Sequence, residues 1–250
     1  MLYVIKFASN IIQMKKTLAF ISILISLNLQ AQTVDQVLKK HIDFTGGEKQ
    51  WTNILTIVTS GEYDYGGTKF PFTAYSKSPD KYKFIVPFNG KYYAQAFDGT
   101  KGWKIDAFKN ETTPTTLAGK EARAMANESD VELEPTLINY KTKGHQATLE
   151  ADTTIKKIVC HTIRFTRKSG EKEFYYFDSK TFAMVMKKAV SKNTEMGGSV
   201  MTTFYSDYRD IGGVKIPFLA ASDINGQPIL TVTISKAAVN GAIDDKEFQP

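Results

Sequence analysis

The chain contains one cysteine, three histidines and no long apolar run, and each scarcity closes off a class of function. A lone thiol, Cys160, rules out an internal disulfide and a thiolate zinc site. It sits in the apolar stretch Ile158–Ile163 and reads as a small strand residue rather than a reactive one. None of His41, His145 and His161 stands in a His-Glu-x-x-His or similar metal spacing. Gly-x-Ser-x-Gly elbows and phosphate-cradling glycine loops are missing as well. Asp207, Asp210 and the pair Asp244-Asp245 stand near glycines or at turns, where carboxylates cap backbone amides. The expectation is a protein that is not an enzyme and takes no cofactor or metal. A hydrolase built on the three histidines is the weakest alternative.

The most apolar run, Leu18–Leu29, has 12 residues, short of the ~20 needed to cross a bilayer. Met14-Lys15-Lys16 precedes it and the small residue Ala31 follows, the layout of a secretory leader cut near Ala31. A retained N-terminal anchor is the competing reading, and residues 1–13 read as a gene-start artefact. Gln32, not a cysteine, follows Ala31, so the exported product is expected in the periplasm without a lipid anchor. The formal charge of +6 includes Lys6, Lys15 and Lys16; without them 29 basic residues face 26 acidic ones, net +3. The lysines are spread out, so no nucleic-acid partner is expected. The sequons at Asn110 and Asn127 read as chance matches.

Residues 32–250 read as a single domain, mostly β with two helical elements. Thr33 and Gln36 have capping-box spacing, and Val37, Leu38 and Ile42 predict an amphipathic helix over 34–44 stopped by Gly46-Gly47. Alternating patterns then predict twelve strands: 54–64, 70–77, 82–87, 92–97, 102–106, 147–152, 159–166, 172–177, 183–190, 199–208, 214–222 and 229–237. Asn89-Gly90 and Asp98-Gly99 suit tight hairpins, so neighbouring strands should run antiparallel. Between the two groups, Leu117–Ser129 predicts a second helix ended by Glu134-Pro135, with Leu137–Tyr140 docking on the core. A sheet this long must curl, which predicts a curved antiparallel sheet or incomplete β-barrel with a helical lid.

Aromatic and methionine positions carry the functional reading. Tyr63 and Tyr65, Phe70 and Phe72, Tyr82 and Phe84, Tyr93 and Phe97, and Met184 and Met186 lie two or four apart, so each set is expected on one strand face. An ordinary core fits these sets as well as a cavity does. Aromatics on both parities, as in Phe174–Phe177, and the flexible methionines favour a cavity lined by Tyr63, Tyr65, Phe72, Phe84, Tyr93, Phe97, Met125, Met184, Met186 and Phe204.

Several motifs then fall in a familiar order: Gly46-Gly47 with Trp51 and Ile54; Phe97-Asp98-Gly99 with Gly102-Trp103; Tyr140–Gly144; Tyr176-Phe177-Asp178; Ser206–Arg209 with Gly212-Gly213 and Pro217; and Asp244–Pro250. Together they resemble the LolA/LolB-like superfamily, in particular outer-membrane lipoprotein-sorting-type proteins, over essentially all of residues 33–250. The resemblance implies an open antiparallel half-barrel with a helical lid over a hydrophobic cavity. It implies a periplasmic monomer that binds lipids or lipoprotein acyl chains, takes part in outer-membrane biogenesis and meets inner- and outer-membrane proteins. An envelope interaction or sensor module on the same fold is the alternative. The resemblance also implies an arginine beneath the lid; Arg123 and Arg209 are the residues at hand, and it assigns the role to neither.

Overall fold

The structure, a computed structural model, describes residues 32–119, 121, 134–190 and 198–250. The leader 1–31, Arg123, Met125 and most of the helix expected over 117–129 lie outside the described residues. Contacts divide the chain after Thr33, and the fold concerns the unit Val34–Pro250.

Helix α1 (Val34–Phe44) matches its apolar spacing: Val37, Leu38 and His41 are buried on one side while lysines take the other. A short helix, α2 (Glu48–Thr52), delivers Trp51 to the core and leads into the first strands. These are β1 (Thr56–Tyr65), β2 (Thr68–Lys77), β3 (Lys81–Phe88), β4 (Lys91–Phe97), β5 (Gly102–Ile105) and the two-residue β6 (Thr115–Thr116). After α3 (Glu134–Leu137) come β7 (Gln146–Leu149), β8 (Thr153–Ile155), β9 (Ile158–Thr166), β10 (Lys172–Asp178) and β11 (Met184–Val190). The chain ends with β12 (Val200–Ile211), β13 (Val214–Ile224), β14 (Gln227–Val239) and a 3₁₀ turn at Asp245–Phe248.

All pairings are antiparallel, in the order β6-β5-β4-β3-β2-β1-β14-β13-β12-β11-β10-β9-β7, with β8 beside β9. The first and last long strands meet at the centre, and β6 and β7 form the two ends, so the sheet stays open instead of closing into a barrel. Gly61 makes the central join possible. A Cβ built there would lie 2.0 Å from the Thr233 carbonyl oxygen, at the register shift between Ser60 and Gly61.

All twelve expected strands are present; β6 and β8 are additional. Leu117 continues the β6 pairing, its amide bonding the Gly102 carbonyl at 2.8 Å, so helical backbone begins at Gly119 rather than at Leu117. Glu134-Pro135 opens α3, as suits a proline that lacks an amide to donate; the segment it was expected to end lies outside the described residues. Asn89-Gly90 has positive φ at both residues, as the hairpin turn requires, but at Asp98-Gly99 only the glycine does. Asp98 instead accepts the amides of Thr100 and Lys101 on its Oδ1, each at 2.7 Å.

One sheet face packs against the helices. Val37 and Leu38 of α1, with Leu137 and Tyr140, cover Ile163, Phe165, Tyr175, Phe177 and Met184 of β9–β11. Trp51, Ile54, Ile57, Ile138 and Val214 form the adjoining cluster. On the outer face of β3–β5, the C-terminal segment covers Ala94, Ala96, Trp103 and Ile105, anchored by Phe248 and by Lys77 and Lys81 pairing with Asp245.

Candidate functional site

The register places an aromatic surface on the helix-side face of β1–β4. Starting from Ile57, which packs on Trp51, that face of β1 carries Tyr63 and Tyr65; their partners continue it through Phe70 and Phe72, then Phe84, Val86 and Phe88, then Tyr93 and Phe97. Across the central join, Val232 and Leu230 of β14 lie opposite Tyr63 and Tyr65.

The rings form two abutting sets. In the first, Tyr65 stacks on Tyr63 with centroids 6.4 Å apart, Tyr63 meets Phe84 at 5.5 Å, and Phe84 stacks on Phe72 at 5.6 Å. In the second, Phe108 lies 5.4 Å from Phe70, 4.7 Å from Phe88 and 5.9 Å from Tyr93. Tyr63 and Phe70, directly opposite in register, join the two. Phe72 and Val86 are buried beneath, Tyr63, Phe70, Phe84, Phe88 and Tyr93 are partly exposed, and Tyr65 at 47% and Phe108 at 44% are the most open to solvent. Burial pushes the Tyr63 phenol up to about 12, and the neighbouring Tyr65 adds to that, so it stays protonated.

Of the expected lining, Tyr63, Tyr65, Phe72, Phe84, Tyr93 and Phe97 lie on this one face. Phe97 packs with Tyr82 and Leu117 at its inner end. Met184 lies on the same side of the sheet but under α1, where side chains fill the space. Met186 and Phe204 face the other way. Met184 and Met186 do not share a face because a bulge shifts the register: Phe177 pairs with Met184 but Tyr176 pairs with Met186. Phe88 and Phe108 complete the aromatic surface. Phe88 follows Val86 at strand spacing and was legible; Phe108 sits in a 3₁₀ turn, Ala107–Lys109, and had no periodic signal.

The polar candidates have structural partners. His41 Nδ1 lies 2.7 Å from the Phe182 carbonyl oxygen, His145 Nδ1 accepts the Lys168 amide at 2.9 Å, and His161 Nδ1 lies 3.0 Å from Asp152. Asp210 and Asp244 accept turn amides, and Asp207 takes two bonds from Arg209, whose guanidinium lies 4.5 Å from the Phe218 ring centre. Cys160 is buried, which raises its thiol. Among the described residues no cluster of His, Cys, Asp and Glu could hold a metal ion.

On the helix face of β10 and β11 lies a buried charge network. Glu173 binds Arg167 at 3.0 Å, accepts the Tyr175 hydroxyl at 2.6 Å and faces Lys187 at 3.5 Å. Burial alone would push this carboxyl up, but Lys187, Arg167 and the hydrogen bonds outweigh it and hold Glu173 at about 2.

The sequence matches no family model and no curated protein. Solved structures do resemble it. A DUF1329 family protein from Desulfovibrio piger has a TM-score of 0.59 at 14% identity, covering 88% of this chain and 98% of its own. A LolA superfamily protein from Nitrosomonas europaea has a TM-score of 0.56 at 13% identity, with 88% and 99% covered. A domain designated an outer membrane lipoprotein-sorting protein, from Vibrio parahaemolyticus, has a TM-score of 0.56 at 10% identity, with 86% and 95% covered. At these identities the likeness is one of fold, and the open antiparallel sheet described here has the LolA-like fold.

Proposed function

We propose that residues 32–250 form an exported, non-catalytic periplasmic carrier for lipids or lipoprotein acyl chains, freed from its leader near Ala31 and working as a monomer. The aromatic face of β1–β4 is the holding surface. The observation that carries this reading is the joined set of rings, open at Tyr65 and Phe108, on a LolA-like sheet. A saturated chain of about 15 methylenes gains roughly 12 kcal/mol on leaving water, at ~0.8 kcal/mol each, so it does not cross an aqueous space unaided. A broad apolar surface offers a similar gain at every point along the chain, which suits cargo of varied length.

The test is organic extraction of the purified protein followed by mass spectrometry, together with displacement of the neutral dye N-phenyl-1-naphthylamine by a diacylated lipopeptide. Co-purified lipid and displacement that weakens in Phe84→Ser support the carrier. An empty extract with no displacement overturns it.

A further inference from the structure

On the outer face, away from the aromatic surface, lies a concavity of about 490 Å³. Its floor is Met186 and Lys188 of β11, Val200, Thr202 and Phe204 of β12, and Asp223 of β13. The β13–β14 turn forms one wall, and the tip of the β8–β9 hairpin, Thr154 to Lys156, forms another. The register confirms the shared face, since Met186 pairs with Phe204 and Lys188 with Thr202.

Three features make this more than a surface dent. The hairpin tip, Lys156-Lys157, has φ of 46° and 72°, a conformation that asparagine and glycine adopt readily and lysine does not. That strained turn places Lys156 Nζ 3.7 Å from the Phe204 ring centre. The charges are also unbalanced. Among the described residues, Lys156 and Lys188 have ring contacts, at 3.7 Å and 6.0 Å, and no carboxylate partner, while Asp223 is engaged by the Gly226 amide at 3.0 Å. Finally, Val200 is 49% exposed and its pair partner Val190 54% exposed, so apolar surface extends outward from the rim.

We propose that this outer-face concavity binds a small anionic amphiphile, its carboxylate or phosphate held by Lys156 and Lys188 and its apolar body lying on Met186, Phe204 and Val200. Its volume falls within the usual range for small-molecule sites. The ammonium of Lys156 already covers an aromatic ring, and an incoming anion would find two lysines against one carboxylate, Asp223, which already accepts the Gly226 amide. Carriage of acyl chains on the opposite face is not required.

The full chain, ¹⁵N-labelled, is titrated with decyl phosphate, inorganic phosphate and decanol while amide shifts are followed. Decyl phosphate is expected to shift the amides of Thr154–Lys157, Thr202–Phe204 and Gly226, with inorganic phosphate and decanol each much weaker. Lys156→Gln and Lys188→Gln should each weaken decyl phosphate by up to about fivefold, the scale of one exposed charge pair, and Lys156→Arg should restore it. An unchanged amide spectrum elsewhere verifies that the variants fold. Shifts confined to other regions, indifference to both glutamines, or inorganic phosphate or decanol acting as strongly as decyl phosphate would each overturn the site.

Discussion

Trp103 donates its indole Nε1–H to the backbone carbonyl of Phe248 at 2.8 Å, fastening the C-terminal segment across the outer face of β5. Phe248 is fully buried beside it. Phe248 is therefore part of the core on that side, while the residues around it stay exposed.

Phe248→Ala should remove ~3–5 kcal/mol of stability, the usual range for emptying a buried aromatic position. Urea unfolding measures it, and a loss under 1 kcal/mol would mean that the segment is not held as described.

Acid should weaken the fold through Glu173. Its carboxyl is lowered from 4.5 to about 2, so the stabilisation is complete above about pH 4.5 and fades as pH falls towards 2. The shift corresponds to roughly 3 kcal/mol. Glu173→Gln should lower stability at neutral pH, because Arg167 and Lys187 lose their buried partner, and should flatten the decline below pH 4.5. Unfolding midpoints for both proteins across pH 2–7 decide it; parallel curves would refute the role.

Gly46 has φ +122°, and a Cβ there would lie 2.3 Å from the Gly213 carbonyl oxygen, where α1 meets the β12–β13 hairpin. Gly46→Ala should cost about 3 kcal/mol or more, from backbone strain and overpacking together. Gly67→Ala, also at positive φ but facing open space, should cost only about 1 kcal/mol. Thermal unfolding of the two variants separates conformational strain from close approach.

Phe108→Ser should leave stability within about 1 kcal/mol, since the ring is 44% exposed, yet weaken the neutral dye on the aromatic face. Fluorescence titration provides the check, and an unchanged dye affinity would move the holding surface elsewhere.

Lys157→Gly should stabilise the protein by ~0.5–1 kcal/mol, because glycine adopts the positive φ of 72° without penalty. A destabilised variant in chemical unfolding would show that this lysine makes compensating contacts.

How far the sequence could be read depends on how local each signal is. Helix α1 and all the long strands follow from apolar periodicity and from glycines at turns, which act within a few residues. The β8–β9 hairpin escaped notice because Lys156-Lys157 replaces the residues a tight turn favours. Met184 and Met186 were separated by one bulge in a partner-strand register, which no alternation rule detects. Phe108 joined the aromatic surface from an irregular turn, through ring contacts with three separate strands.

Alternation alone placed Tyr63, Tyr65, Phe72 and Phe84 on consistent faces of their own strands, because side chains in a strand point to opposite sides in turn. Only tertiary pairing could decide that β1 meets β14, that the face under α1 is filled, and that Met186 and Phe204 turn outward beside Lys156. Those outcomes depend on register between residues far apart in the chain, and a shift of one residue reverses which side of the sheet a group occupies.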